Sequence, residues 1–586
     1  MNYNLNKFSG KEEKTSTYAA LKSLLKLIAH ERKNLLLALI AILTNAILNL
    51  LGPFLIGYSI DHYVQHKQYH GVLVFSGILL VMYLLALFTS YFQTKLMGSV
   101  GQRLLFTLRN AIFNKLQVLP VAFFNANKAG DLISRVNNDT DKLNTFFSQS
   151  LMQFVSSIAI MLGAGTFLLL INVKLGAASL EPAIFILLFT KIASPWVKKK
   201  NAVNLKSVGG MSAEIQESLS NFKVVVAFNR RDYFRKRFGE ANQQNYKTAV
   251  AAGLANNIFL PVYSLFSSLA QLTVLAYGIY LISTGSFSIG LLVSYLAYAT
   301  NFYNPLRQLA SLWTSFQVAM AGWDRIARIL SLDTNLETIP EDTTTRSTSL
   351  VEFRHVHFSY PDGKEVLHNI SLKLERGKNY AFVGPTGGGK TTTASLIARL
   401  YDPVMGTVFL DGKDIRSYEP EERCRKIGFI LQEPFLFTGT VRDNILYGNE
   451  QYRHHSNEQL EQVIKEAGLH KLLSIFEQGL ETAVSSGGES ISLGQKQLIA
   501  FMRAVLRNPD VLILDEATAN IDTVTEKLLE EILGRLPHKT TRIIIAHRLN
   551  TIENADEIYF VNAGEVTRAG SFHDAVDKLL HGKLAS

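Results

Sequence analysis

The sequence predicts an all-α polytopic membrane domain followed by an α/β domain built around a phosphate-binding P-loop. Three observations carry that expectation. Long apolar runs crowd into the first half of the chain, most of them before about residue 320. Positive charge gathers in the long connections between those runs. A glycine-rich loop stands between an apolar strand and a helix in the second half.

The 586 residues are enough for more than one domain. With 47% hydrophobic and 18% charged residues and a mean hydropathy of +0.12, the chain is too apolar for an ordinary soluble enzyme. The net charge of +10 follows the pattern of cytoplasmic charge on a membrane protein, so nucleic acid is not an expected partner. Cys424 is the lone cysteine, which excludes an intrachain disulfide framework. The first thirty residues are charged and polar, without the pattern of a secretory signal peptide.

A bilayer core takes about 20 mostly apolar residues per helix. Six segments fit: 34–60, 71–97, 145–171, 175–197, 255–283 and 289–317. The connections "DHYVQHKQYH", "NVK" and "STGSFS" are short and carry little positive charge. The stretches 98–144 and 198–250 are long and include "VKKK" and "NRRDYFRKRF". By the positive-inside rule the long connections are cytoplasmic, and six spans place both termini inside. The apolar spacing of "GQRLLFTLRNAIFNKLQVL" and "AEIQESLSNFKVVVAF" is helical, so the spans extend into the cytoplasm. The basic, amphipathic segment "ALKSLLKLIAHERK" is expected along the membrane surface or packed on protein. The expected domains are a cytoplasmic segment at 1–33, the membrane domain at 34–330, a polar linker at 331–348 and the soluble domain at 349–586.

In that soluble domain, "NYAFVGPTGGGKTTTASLIARL" reads as strand, loop and helix and matches G-x-x-x-x-G-K-[ST]. Its expected nucleotide contacts are Gly384, Pro385, Thr386, Gly387, Gly388, Gly389, Lys390, Thr391 and Thr392. Glycines let backbone N–H groups close around phosphates, and the helix start adds partial positive charge. Lys390 is placed to reach the β- and γ-phosphates, and the Thr391 hydroxyl to ligate Mg²⁺. "VLILDEA" is a buried strand ending in two acids: Asp515 for the Mg²⁺ shell and Glu516 for polarising the attacking water. His547 ends another apolar strand, "RIIIAH", at the edge where open α/β sheets bind ligands. ATP and Mg²⁺ are therefore the expected cofactors, with Glu516, His547 and Lys390 as the catalytic candidates.

These motifs as a set resemble an ABC exporter half-transporter, a six-helix membrane domain fused to a P-loop ATPase domain, from about residue 15 to 580. The resemblance rests on Tyr360 in "FSYPDG", the glycine loop, Gln432 in "FILQEP", the signature "ISLGQ", "LILDE", Asp522 in "TANID", and His547. It implies that Tyr360 stacks on adenine, Gln432 touches Mg²⁺, Asp522 works across a dimer interface and His547 contacts the γ-phosphate. It also implies that each ATP lies between one chain's glycine loop and the other's signature, here Ser492, Gly494 and Gln495. The segments 121–131 and 220–231 resemble the short cytoplasmic helices that couple the two domains.

The signature departs from the family's L-S-G-G-Q, because Leu493 stands where a glycine is usual. The upstream "TAVSSGG" also lacks the family's Glu and Arg. A side chain at a close phosphate approach crowds or stiffens the loop. With an intact glycine loop and Glu516, this asymmetry resembles one subunit of a heterodimeric multidrug exporter; a homodimer that tolerates Leu493 is the other reading. Expected partners are a second ABC half-transporter, the lipid bilayer and a hydrophobic or amphipathic small molecule. Export, lipid or peptide movement, and a non-transporting ATP-gated regulator are the three function classes. The membrane segments are mostly plain; the exceptions are Glu181, which either binds cation or proton or pairs with Lys174, and Arg307, after Pro305, which either faces the inner cavity or holds a neighbouring helix. A stripe of Tyr295, Tyr298 and Phe302 reads as packing before it reads as a drug site.

Overall fold

The computed structural model describes residues 5, 31–333, 336, 338–341, 347–361, 363–485, 491–515, 523–536, 539–545, 555–569 and 574. Residues 20–30 of the amphipathic segment and parts of the linker lie outside them. The chain divides into two compact units. One is residues 13–116 and 132–331; the other is residues 1–12, 117–131 and 332–586.

The first unit is helical. Its long helices are α1 (Arg32–Ser59), α2 (Tyr69–Gln117), α3 (Leu151–Ile171), α4 (Val173–Ser220), α5 (Arg231–Asn257), α6 (Phe259–Ser283) and α7 (Ile289–Leu330). Five stretches, Arg32–Val64, Tyr69–Gln117, Ala129–Ile171, Val173–Ser220 and Arg231–Ser283, are long and apolar enough to cross a membrane by length and composition. The sixth expected span falls in α7, which is not among those five. Its middle carries Asn301, Asn304, Arg307 and Gln308, which dilute its apolar character. Helix α2 has 49 residues, a length of about 74 Å at the α-helical rise. That is more than twice a hydrocarbon core of about 30 Å, so much of it stands outside the bilayer. Its Leu73, Leu80, Leu84, Leu87 and Phe88 are exposed, an apolar surface that water does not favour. Pro182 and Pro195 sit inside α4 without ending it; neighbouring groups satisfy the backbone that a proline frees in a membrane helix.

Helix α7 packs against α1, α3 and α6. Tyr295 and Tyr298 are fully buried in that packing. The Tyr295 hydroxyl donates to Leu168 O at 2.5 Å and the Tyr298 hydroxyl to Leu50 O at 2.7 Å. The Phe167 ring stacks on Tyr298 with centroids 5.0 Å apart. The stripe thus serves helix packing, with each phenol satisfied by a backbone carbonyl. Arg325 near the end of α7 grips Asp139 with two hydrogen bonds, of 2.7 and 2.6 Å, and Lys142 adds a third of 3.1 Å. Asp139 is only 3% exposed, and these partners compensate its burial.

The second unit is α/β. Strands β1 (Val351–Ser359), β2 (Glu365–Leu374), β4 (Met405–Leu410) and β5 (Lys413–Asp414) form a sheet in the order β2-β1-β4-β5. A six-stranded sheet runs β12-β11-β3-β10-β9-β6, from β3 (Asn379–Val383), β6 (Ile427–Ile430), β9 (Val511–Asp515), β10 (Thr541–Ile545), β11 (Glu557–Asn562) and β12 (Glu565–Arg568). Only the β11–β12 pair in it is antiparallel. The parallel strands are near-continuous runs of Val, Ile, Leu and Phe because both faces are buried. β7 (Gly439–Thr440) and β8 (Ala483–Val484) make a small separate ladder.

At the start of β1, Glu352 accepts from Arg354 at 2.9 and 3.1 Å, with Lys373 Nζ 3.6 Å away. The Arg354 guanidinium first, with lesser help from the Ser347 hydroxyl and Lys373, brings the buried Glu352 carboxyl down from 4.5 to about 2. A depressed folded-state pKa stabilises the protein above the unfolded value and ceases to do so as pH falls through the folded one. Glu352→Gln therefore lowers stability by about 1–3 kcal/mol at pH 7. The gap to wild type narrows as pH drops from 4.5 toward 2. Thermal unfolding of both proteins at pH 7, 4 and 3 measures it; a gap independent of pH would contradict the ion-pair account.

Candidate functional site

The register of the parallel strands brings the candidates to one edge. β10 lies between β3 and β9, pairing Ile545 with both Phe382 and Asp515. The glycine loop leaves β3 there, and Asp515 ends β9 at the same carboxyl edge, where open α/β sheets bind ligands. Gln432 is exposed two residues beyond β6, whose Ile430 pairs with Leu514. His547 follows β10 and Glu516 follows β9, but Glu516, Asp522 and His547 lie outside the described residues.

The loop ends in helix α8 (Lys390–Ile397). Gly384 has φ 146° and Gly389 has φ 112°, a region open to glycine and strained for other residues. A Cβ on Gly384 would also sit 2.0 Å from Val561 O. Gly389 caps α8 with no side-chain hydrogen bond, so the first N–H groups of the helix face the loop, an arrangement suited to anions. The buried Lys390 Nζ donates to Gly384 O at 2.9 Å and Pro385 O at 3.0 Å. The Thr391 hydroxyl donates to Asp515 Oδ1 at 3.2 Å. Hydroxyl and carboxylate are hard oxygen donors, and their meeting at the phosphate loop suits a Mg²⁺ that takes its remaining ligands from phosphate and water. The candidate residues thus fit ATP with Mg²⁺.

Tyr360 is held at this site by its hydroxyl, 3.0 Å from Thr392 Oγ1. Its ring stands edge-to-face with Tyr401, centroids 5.3 Å apart. The Tyr401 hydroxyl accepts from Asn125 Nδ2 at 2.6 Å. Asn125 belongs to the short helix Val121–Ala126, within the same compact unit. The other expected short segment contains the helix Phe222–Ala227. Tyr401 and Asn125 carry no sequence motif of their own, and only the fold reveals them.

The signature opens helix α9 (Leu493–Val505). Ser492 is its N-cap: the serine Oγ accepts from Gln495 N at 3.2 Å, and Ser492 N donates to Gln495 Oε1 at 3.0 Å. This is a capping box, and S-x-x-Q in the sequence was its signal. Leu493 is the first helical residue, 38% exposed, and is not among the described residues with positive φ. The backbone at this position does not require glycine.

The comparisons with known proteins agree with this architecture. Residues 35–306 match the model of the ABC transporter transmembrane region, and residues 367–519 match that of the ABC transporter. The chain is a member of the ABC transporter family: a helical membrane domain and an α/β P-loop ATPase domain fused in one polypeptide. It is an ATP-hydrolysing translocase and a multi-pass membrane protein. It is 34% identical to the uncharacterized ABC transporter ATP-binding protein YfiC of Bacillus subtilis, over 95% of this chain and 92% of the relative. It is 32% identical to a fatty acid ABC transporter ATP-binding/permease protein of Mycobacterium bovis, over 84% and 78% of the two chains. It is 31% identical to a multidrug resistance ABC transporter ATP-binding and permease protein of Lactococcus lactis subsp. cremoris, over 85% and 84%.

Gly384→Ala puts a methyl against Val561 O in a φ region closed to alanine, and it lowers affinity for a fluorescent ATP analogue at least tenfold. Gly534→Ala, where a Cβ meets nothing within 4 Å, leaves that affinity unchanged. Equal affinity in both variants would show that the loop tolerates the methyl.

Proposed function

We propose that the chain exports hydrophobic or amphipathic compounds across the cell membrane as one half of a two-chain transporter with six spans per chain. The observation that carries this is the meeting of Thr391 and Asp515 beside the glycine loop, in a chain that also holds apolar helices of membrane length. The relatives named for fatty acids and for multidrug resistance support a hydrophobic or amphipathic cargo. ATP-dependent uptake of such compounds into inside-out vesicles tests the reading; substrate-stimulated ATPase without uptake would favour a regulator.

Bound ATP with Mg²⁺ supplies the phosphoanhydride whose hydrolysis drives the cycle. Lys390 exchanges its loop carbonyls for phosphate oxygens. Thr391, Gln432 and Asp515 would hold the metal, and the loop from Gly384 to Thr392 would cradle the phosphates. Glu516 polarises the attacking water, and His547 contacts the γ-phosphate. Tyr360 presents its ring to the base, and Asp522 acts across the interface between chains. Ser492, Gly494 and Gln495 meet the nucleotide held by the other chain. The Ser492 oxygen accepts from its own helix, which leaves its one proton to donate outward.

The start of α9 bears on the pairing. Leu493 fits the first helical position without backbone strain, which supports a working signature and an assembly of two copies. The heterodimeric reading rests on Leu493 as a departure and on "TAVSSGG", whose residues 486–488 lie outside the described residues.

Steady-state ATPase of the purified transporter separates the two. Removing one hydrogen-bond donor at a reacting phosphate costs about 3–4 kcal/mol. With two copies, Ser492→Ala is as damaging as Glu516→Gln, which loses roughly 100-fold or more with its polarising carboxylate. A loss of only several-fold in Ser492→Ala, beside a dead Glu516→Gln, would restore the heterodimer.

A further inference from the structure

The membrane unit holds an open cavity of about 270 Å³ in which amide and hydroxyl side chains stand beside Met152, Ile160 and Pro305. Helix α2 contributes Gln93, α3 contributes Gln153 and Ser157, and α7 contributes Asn301, Asn304 and Gln308. On α7 the three amides recur at i, i+3 and i+7, which is one helical face; Gln153 and Ser157, four apart, share a face of α3. The amides therefore converge, although the membrane segments look plain when read one at a time.

Gln93 is 7% exposed, and its Oε1 has no hydrogen-bond partner among the described residues. A buried amide oxygen left unpaired is costly, so it marks a place where a partner belongs. Each carboxamide offers both acceptor and donor positions. Among the described residues no charged side chain lines the cavity, and Glu181 is not part of it. An ion resting against these amides meets no countercharge among the described residues, whereas a neutral polar head can pair with both their donors and their acceptors. The volume matches about nine waters at the liquid's share, enough for a polar head and too small for a whole drug-sized molecule.

We infer that this cavity binds the neutral polar head of an amphipathic molecule, an amide or polyhydroxyl group on an apolar body. The inference rests on the transport reading above and narrows its cargo to uncharged heads. Cationic drugs and free carboxylates are poor ligands here.

The test is equilibrium binding of three radiolabelled twelve-carbon probes, below their micellar concentrations, to the full-length transporter in lipid nanodiscs. The probes are dodecanoyl-N-methylglucamide, dodecyltrimethylammonium and dodecanoate. The neutral probe binds at least tenfold tighter than either ion. Gln93→Leu and Gln153→Leu each weaken it about five- to tenfold, the scale of one lost hydrogen bond. Circular dichroism and elution volume report the fold; should Gln93→Leu misfold, Gln153→Leu at an exposed position carries the test. Equal affinity for all three heads, or neutral-probe affinity unchanged by the substitutions, overturns the proposal. So does disruption of the assembly with probe affinity intact, because the amide face would then serve packing between chains. Vesicle uptake is read separately: binding without ATP-driven uptake sinks the transport reading and leaves the cavity standing.

Discussion

The interaction on which the nucleotide domain depends is the parallel pairing of β10 with both β3 and β9. Through it Phe382 and Asp515 stand level on either side of Ile545. A shift of one residue would turn the buried side chains to the opposite face. It would also move Asp515 along the sheet edge, away from Thr391. The 3.2 Å bond between those two residues is therefore a readout of strand register. Both sheet faces are buried, so the close fit of particular side chains on each face holds the register, and the site inherits its geometry from the core.

Much of this was legible in the sequence because it is local. The strand–loop–helix around Lys390 and the acid at the end of β9 are contiguous patterns, and each stands in the expected context. The helical extensions were legible from apolar spacing alone. What was not legible depends on residues far apart in the chain. Tyr401 and Asn125 are separated by 276 positions, and nothing local marks either one. The amides around Gln93 come from three helices, so no single stretch shows their convergence. The grouping of residues 117–131 with the soluble unit likewise follows from tertiary contacts. Glu181 is exposed, and among the described residues no ion pair joins it to Lys174, two helical turns away.

Leu493 and Gly384 show why a missing glycine has no single meaning. At Gly384 the backbone itself demands glycine, through its φ and through the carbonyl of Val561. At Leu493 the chain has already entered ordinary helical geometry, secured by the capping box of Ser492 and Gln495. A leucine there alters the surface shown to whatever approaches the helix end, and leaves the helix end itself in place.

The contacts from Asn125 through Tyr401 and Tyr360 to Thr392 have a thermodynamic corollary. They join the short helix Val121–Ala126 to the first turn of α8 through two hydrogen bonds and one ring contact. If nucleotide binding changes how firmly Asn125 is held, then holding Asn125 changes nucleotide affinity by the same factor. Reciprocity then makes the short helix a gauge as much as a lever. A restraint placed on Asn125 is read out in nucleotide affinity by the same factor by which bound nucleotide is read out at Asn125.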